Sequence, residues 1–224
     1  MALGLAQIRA SVLAHTLVIY HATTNITYIA LGHVRLSIND LSPYGAQPFH
    51  DSAGEIHAVV NGELYDHDRI RAELQQKTDY KFKGRSDCEI VIALYEYYGI
   101  GFLSHLRGEF ALCLYDERNQ IFIAARDRYG IKPLFWTRVG GRMLIAAEAK
   151  AFLPLGWQPE WDVRSLKEGG WNFDQRTLFK GVNKIKPGHY MMCRSDGSTE
   201  QMPYWDIEFP DKVCLNNYHE GMPY

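Results

Sequence analysis

Residues 109–148 read EFALCLYDERNQIFIAARDRYGIKPLFWTRVGGRMLIAAE, and the placing of the breaks in this stretch decides the fold. EFALCLYD and IFIAARD are apolar runs rich in aromatic and branched side chains, and they flank a polar turn at Glu117 to Asn119. PLFWTRVGGRMLIAAE repeats the arrangement with Gly140 and Gly141 at its turn. Two hairpins follow, and hairpins build antiparallel sheet.

Upstream, EIHAVVNG at residues 55–62 reads as an apolar strand ending in an Asn-Gly tight turn. Asp66 is placed to cap a helix carrying Ile70 and Leu74, and Ser86 or Asp87 to cap another on which Ile90, Val91, Leu94 and Tyr98 form an apolar stripe. TYIALGHVRLSI, residues 27–38, is rich in β-branched and aromatic residues and is broken by Gly32, which predicts two strands with a turn or bulge between them. Leu5, Ile8, Val12 and Leu13 stand at helical spacing, so an amphipathic helix is expected over Ala2 to Ala14. Downstream, a helical stub at Ala149 to Leu153 leads to a segment holding Trp, Pro and Gly. Two more strands are expected at Gly188 to Cys193 and Glu200 to Trp205, joined by Ser-Asp-Gly-Ser, and the tail after Pro210 has no clear period. Helices that cluster early and hairpins that alternate with them give an α+β class with largely antiparallel sheets, not a βαβ layout.

A chain of 224 residues with 46% hydrophobic and 22% charged residues can bury one large core. Its net charge of −2 provides no field for nucleic acid or an anionic membrane, so neither is an expected partner. Apolar runs such as Thr16 to Tyr20 fall far short of the roughly 20 residues of a spanning helix. Cys88, Cys113, Cys193 and Cys214 are widely spaced, with no CxxC pair and no metal-type spacing. Reduced thiols in a cytoplasmic protein, without metal or cofactor, are the expectation.

Seven segments in order are similar to the signature blocks of the glutaminase domain of glutamine-hydrolysing asparagine synthetases. They are LGHVRLSINDLS (31–42), QPF (47–49), VVNGELYD (59–66), GRSDCEIVIALYEYYG (84–99), LRGEFALCLYDERNQIFIAARDRYGIKPLFW (106–136), AAEAKAF (146–152) and RTLFKGVNKIKPGHY through YWD (176–206). The chain thus resembles a class II glutamine amidotransferase domain over about 190 residues. The resemblance implies an Ntn-hydrolase αββα sandwich of two antiparallel sheets covered by helices. It assigns residues 1–206 to that domain and 207–224 to a tail or the start of a lost synthetase domain.

Releasing ammonia from glutamine takes a nucleophile, donors for the developing oxyanion and fixed charges for the amino acid's ends. By the resemblance, Asn61 and Gly62 form the oxyanion hole, Arg35 holds the carboxylate, and Glu63 and Asp87 lie near the α-ammonium group. A guanidinium fork suits a carboxylate better than Lys does. Taken alone, Arg35 reads as a strand-edge arginine, Asn61-Gly62 as a turn, and Asp87 as a helix cap. Asp127, Arg128, Gly130, Lys132 and Pro133 are read as structural.

The pattern departs from the family at both ends. Active members carry a cysteine after the initiator methionine, whose α-amine serves as general base; this sequence has Ala2. Aligned between His15 and His33, Ala2 to Ala14 overlays the helix after the nucleophile strand, which implies that the first strand is absent. The substrate-adjacent loop of relatives is replaced by Thr16, Leu17, Val18 and Ile19. No SGGxDSS phosphate loop follows the YWD block. Loss of a nucleophile costs on the order of a million-fold in turnover, so the expectation is a glutaminase-inactive, truncated or divergent copy. Two other readings stay open: an enzyme of specialised metabolism that uses the scaffold for a non-glutaminase reaction, and a non-catalytic glutamine- or partner-binding module. The expected ligand is glutamine or another small amide-like molecule, and the expected partner a second copy or a synthetase domain.

Overall fold

The two hairpins expected within residues 109–148 both form, and they belong to different sheets. In the computed structural model β5 (Gly108–Asp116) pairs with β6 (Ile121–Arg126), and β7 (Phe135–Val139) pairs with β8 (Arg142–Ala146). Gly140 and Gly141 have φ of 54° and 75°, which gives a two-residue turn closed by the Val139–Arg142 pair. The described residues are 16–22, 27–36 and 38–208, so the helix expected over Ala2 to Ala14 and the tail after Pro210 lie outside them.

One sheet has six described strands in the order β11-β10-β6-β5-β4-β3, adding β3 (Phe49–His50), β4 (Ile56–Leu64), β10 (His189–Arg194) and β11 (Thr199–Pro203). The other has five described strands in the order β2-β1-β8-β7-β9, adding β1 (Thr16–Ala22), β2 (Thr27–His33) and β9 (Asn183–Lys184). Every pairing among the described strands is antiparallel. Residues 16–19, read from the family as a replaced loop, are instead the start of β1, with Leu17 opposite Gly32 on one side and Ala146 on the other. Gly32 lies inside β2, so the expected break into two strands does not occur; the ladder with β1 runs unbroken from Thr27 to His33.

Three apolar layers show how the sheets stack. Strand side chains alternate between faces, and β4 illustrates it. Ala58 and Val60 join Leu112, Ile123, Ile90, Leu94 and Phe102 in a core between the six-stranded sheet and its helices. Val59 faces the other way, into an inter-sheet core with Cys113, Phe122, Met143 and Ile145. The far face of the five-stranded sheet buries Leu144 and Ala146 against Phe152, Leu155 and Trp157, which lie in and after a 3-10 segment over Ala149–Leu155. The layering is the αββα sandwich of the α+β expectation.

The helices of the first layer are α1 (His67–Lys77), α2 (Ile90–Tyr98) and the one-turn α3 (Phe102–His105). Ile70 and Leu74 anchor α1. Asp66 does not cap it: its backbone is left-handed (φ 59°) and its carboxylate pairs with Arg107 at 3.0 Å. Two short helices, α4 (Val163–Glu168) and α5 (Gly170–Phe173), were not legible in the sequence. Asp162 caps α4, accepting the Ser165 N–H at 2.8 Å.

Candidate functional site

Asn61, Gly62 and Glu63 lie inside β4, not at a turn. They pair with Ala111, Phe110 and Glu109 of β5, and the strand runs on to Leu64. The glycines are what permit this. A Cβ at Gly62 would stand 2.0 Å from the Glu109 carbonyl oxygen, and one at Gly108 would stand 2.2 Å from that of Glu63. Both residues hold positive φ, 151° and 145°, which a side chain would strain. The Asn-Gly pair therefore marks a close strand approach.

Across from Gly62, Phe110 spends its backbone groups on Asp127: its N–H donates to the carboxylate at 3.3 Å and its carbonyl accepts the Asp127 N–H at 2.8 Å. The same buried carboxylate accepts N–H groups from Tyr129, Ile131 and Lys132 at 3.1, 3.0 and 2.9 Å, which folds the DRYGIKP connection between the sheets. The structural reading of that block holds, with one addition. Lys132 reaches the site and pairs with Glu109 at 3.5 Å.

Asp87 begins a 3-10 turn at Asp87–Glu89 ahead of α2. Neither it nor Ser86 caps that helix through its side chain. Asp87 instead accepts the N–H of Leu64 at 2.7 Å, tying the turn to the end of β4. The loop before it is held by Arg71, which donates to the carbonyls of Gly84 and Ser86 and pairs with the buried Glu89 at 3.4 Å. Glu89 in turn accepts the N–H groups of Lys83 and Gly84 at 2.6 and 3.0 Å.

Arg35 follows β2, and its Nη1 donates to the Ser42 carbonyl at 3.1 Å. Its guanidinium fills the space beside Gly45, where a Cβ would stand 2.2 Å from Nη2. Asp40 closes this corner by accepting the N–H of Ser42 at 2.8 Å and of Arg85 at 2.7 Å. A hydrogen bond from the Ser42 side chain first, and then these two backbone bonds, hold its carboxyl down at about 2.

Arg35, Asn61, Gly62, Glu63 and Asp87 all line one cavity of about 230 Å³. Drug-sized pockets hold roughly 300–1,000 Å³, so this one suits a ligand the size of an amino acid. Residues with no role assigned from sequence also line it: Asp40, Gln47, Cys88 and Lys132. Their signals were a short Asn-Asp-Leu-Ser turn and the QPF and SDCE blocks, whose side-chain partners only the fold reveals.

Cys88 is the one cysteine among the described residues of the cavity wall, and its thiol contacts the Gly62 carbonyl and the Asp87 carboxylate, each at 3.6 Å. Burial first, then the negative charge of Asp87, pushes it well above the usual thiol range. Cys113 and Cys193 are raised by burial too, Cys193 to about 12. Among the described residues no group of three or more His, Cys, Asp or Glu is placed to hold a metal ion, and no helix is long and apolar enough to cross a membrane.

A sequence model of the family described as "glutamine amidotransferase domain" matches residues 19–205. The chain is 60% identical over 187 residues to amidase chry2 of Gibberella zeae and 58% identical over 189 residues to amidase chyE of Penicillium rubens, in each case over 84% of this chain and 28% of the relative. It is 32% identical over 199 residues to glutamine-hydrolysing asparagine synthetase 2 of Bacillus subtilis, over 84% of this chain and 26% of that protein. The chain thus spans little more than a quarter of the length of these relatives. In fold it is similar to glutamine phosphoribosylpyrophosphate amidotransferase from B. subtilis, with a TM-score of 0.61 at 18% identity over 90% of this chain and 45% of that one.

Proposed function

Because this chain belongs to the glutamine amidotransferase domain family, we propose that its cavity binds glutamine or a closely related amino-acid amide and polarises the carboxamide without cleaving it. The observation that carries this reading is the convergence of Arg35, Asn61, Gly62, Glu63 and Asp87, from three separated segments, on one amino-acid-sized cavity. In this reading Arg35 takes the α-carboxylate through its guanidinium fork. Glu63 and Asp87 face the α-ammonium group with opposite charge. The Asn61 amide and the Gly62 N–H donate to the carboxamide oxygen, where negative charge grows as the carbon is attacked.

Polarisation is only half of the chemistry. Attack needs a thiolate, an alkoxide or an activated water, and the single thiol in the described wall is buried, raised well above the usual thiol range, and within 3.6 Å of two acceptors, the Asp87 carboxylate and the Gly62 carbonyl. In this reading the described wall offers the bound amide no activated thiol. The buried thiols of Cys88, Cys113 and Cys193, none in a disulfide, accord with a reducing compartment, and a cytoplasmic location is part of the proposal.

Identity to two proteins named amidases, at 60% and 58%, exceeds the 32% to the asparagine synthetase, and this favours a second reading. In it the same donors serve a carboxamide other than glutamine, in a non-glutaminase reaction. Calorimetry and an ammonia-coupled assay on the purified chain separate the two. The first reading expects glutamine to bind, Arg35→Ala to weaken binding by about 10- to 100-fold through loss of a charge-assisted contact, and ammonia to stay at background. Turnover comparable to an intact glutamine-hydrolysing relative overturns the inactivity. Absence of glutamine binding, with an Arg35→Ala protein indistinguishable from the parent, removes glutamine as the ligand and leaves the second reading.

A further inference from the structure

β3 is the outer described strand of the six-stranded sheet, and its ladder with β4 covers only Phe49 and His50. An edge so short has few backbone bonds, so the side chains that bridge it matter. Phe49 packs into the core on the helix side, and His50, on the opposite face, stands directly across from His57 of β4. The Asp51 N–H donates to the Ile56 carbonyl at 3.2 Å, which makes the preceding pair, His50 and His57, a non-hydrogen-bonded position where side chains stand closest. Their Nδ1 atoms are 2.6 Å apart, and the rings meet nearly edge-on at 80°.

Two nitrogens at that separation share one hydrogen, and counting hydrogens says what acid does to it. In the neutral pair one ring carries its hydrogen on Nδ1 and donates, while the other carries its hydrogen on Nε2 and accepts. A first added proton goes to the free Nε2 of the donor and leaves the bond in place. A second has only the accepting Nδ1 to occupy. Both facing nitrogens then carry hydrogen, the bond is gone, and two imidazolium rings stand with centroids 4.9 Å apart.

The charged groups around the pair favour one positive ring and oppose two. Glu117 faces Nε2 of His57 at 3.9 Å, and Tyr115 of β5 stacks on the same ring. His50 has a cation beside it, since its carbonyl accepts from Lys83 Nζ at 3.3 Å. The neighbouring acid, Asp51, commits one oxygen to the N–H groups of Glu55 and Ile56, and Arg118 adds a positive charge near it. Lys81, Asp79 and Glu96 line the concavity on which His50 opens. Partial burial first, then the charge of His57 and that of Lys83, lowers His50 from its ordinary 6.5, with Asp51 opposing. A ring freed into water takes its proton near 6.5, so the opened edge binds more protons than the closed one and is favoured as the pH falls below about 6.5.

Two residues before Phe49, Gln47 brackets Val60, donating from Nε2 to its carbonyl at 3.0 Å and accepting its N–H on Oε1 at 2.6 Å. We propose that the His50–His57 pair is a proton-operated latch: with no more than one added proton it holds β3 to β4, and with both rings charged it releases the edge and draws the Gln47 side chain off Val60.

Amide hydrogen exchange of the full chain, read by NMR between pH 7.5 and 5.0 and corrected for the intrinsic rate, tests this. The Val60 N–H is expected to lose protection by about 10-fold or more across that range, as a local opening does, while amides of β5, flanked by β4 and β6, keep theirs. His50→Gln and His57→Gln each remove one titrating ring and are expected to make protection at Val60 flat with pH, whatever its level. Glu96→Gln controls for the carboxyl that burial, then Asp51, raises toward this range, and is expected to behave as the parent. Constant protection of Val60 in the parent overturns the latch. Acid loss that survives in both histidine variants overturns it too, as does an equal loss throughout β5, which is opening of the whole sheet. The consequence for ligand, an affinity that falls with acid in the parent and not in the histidine variants, rests on the glutamine reading. Calorimetry at pH 7.5 keeps the two apart: absence of glutamine binding there, with the exchange pattern intact, removes glutamine and leaves the latch.

Discussion

Gln47 meets Val60 as a neighbouring strand would: its Nε2 donates to the Val60 carbonyl at 3.0 Å and its Oε1 accepts the Val60 N–H at 2.6 Å. β3 is only two residues long, and its ladder with β4 covers His57 and Ala58. Beyond it, the Gln47 side chain does the pairing for the residue that immediately precedes Asn61. One amide thus stiffens the strand edge where the donors for a bound carboxamide begin.

Gln47→Ala leaves both Val60 groups without these partners in a residue only 1% exposed. The expected loss is about 1–3 kcal/mol of stability, together with weaker glutamine binding through a displaced Asn61. Denaturant unfolding and calorimetry read the two effects separately. If affinity holds while stability drops, Gln47 supports the fold and not the site.

Gly62→Ala puts a methyl group against the Glu109 carbonyl and forces a side chain onto positive φ. The strain and the spreading of β4 from β5 are expected to cost about 2–4 kcal/mol, visible as a lower denaturant midpoint. Asn61→Ala carries no such clash. It is expected to keep the parent's midpoint and lose amide binding, and an equal loss of midpoint in the two variants would assign Asn61 a structural role instead.

This contrast also explains what the sequence could and could not disclose. Asn-Gly after an apolar run fits a tight turn by every local rule, yet Gly62 is glycine because Glu109, 47 positions later, presses on it. Local propensity carries no trace of such a partner. The hairpins at residues 108–126 and 135–146 were legible because their turns lie between strands that pair with each other. Strand β1 was misread for a different reason. Comparison with the family placed a loop there, while Thr16–Ala22 itself carries the β-branched and aromatic residues of a strand. The five residues singled out for the site do meet at one cavity, but the side chains that hold them, Asp40, Gln47 and Glu89, act through backbone bonds that only the fold creates.

Acid should loosen the Arg35 corner. Asp40 has its carboxyl lowered from an ordinary 3.8 to about 2 by bonds from the Ser42 side chain and from the N–H groups of Arg85 and Ser42. A group depressed in the folded state stabilises above its unfolded value, and the contribution is lost as the pH falls toward the folded one. The window therefore runs from about pH 4 down to about pH 2. Asp40→Asn is expected to lower stability near neutral pH and to flatten the acid limb of a stability–pH curve. An unchanged acid limb would place the pH sensitivity in other carboxylates.

The cysteines provide the most direct check on the chemistry. A thiol raised well above its usual range holds almost no thiolate near neutral pH, and the thiolate is the species that attacks an alkylating agent. Cys88, Cys113 and Cys193 are all buried and all raised. Iodoacetamide at about pH 7.5 is expected to leave all three unmodified in the native chain and to label them once denaturant exposes them, read residue by residue by peptide mass spectrometry. A diazo-ketone analogue of glutamine gives the sharper version, because it enters the cavity by shape and then reports whatever nucleophile stands beside the carboxamide position. No adduct on Cys88 is expected, since its thiol is buried and its one hydrogen has an acceptor at 3.6 Å in either the Gly62 carbonyl or the Asp87 carboxylate. Rapid labelling of Cys88 by either reagent would mean that the cavity wall does hold an activated sulfur, and an amide seated against Asn61 and Gly62 could then be cleaved where it lies.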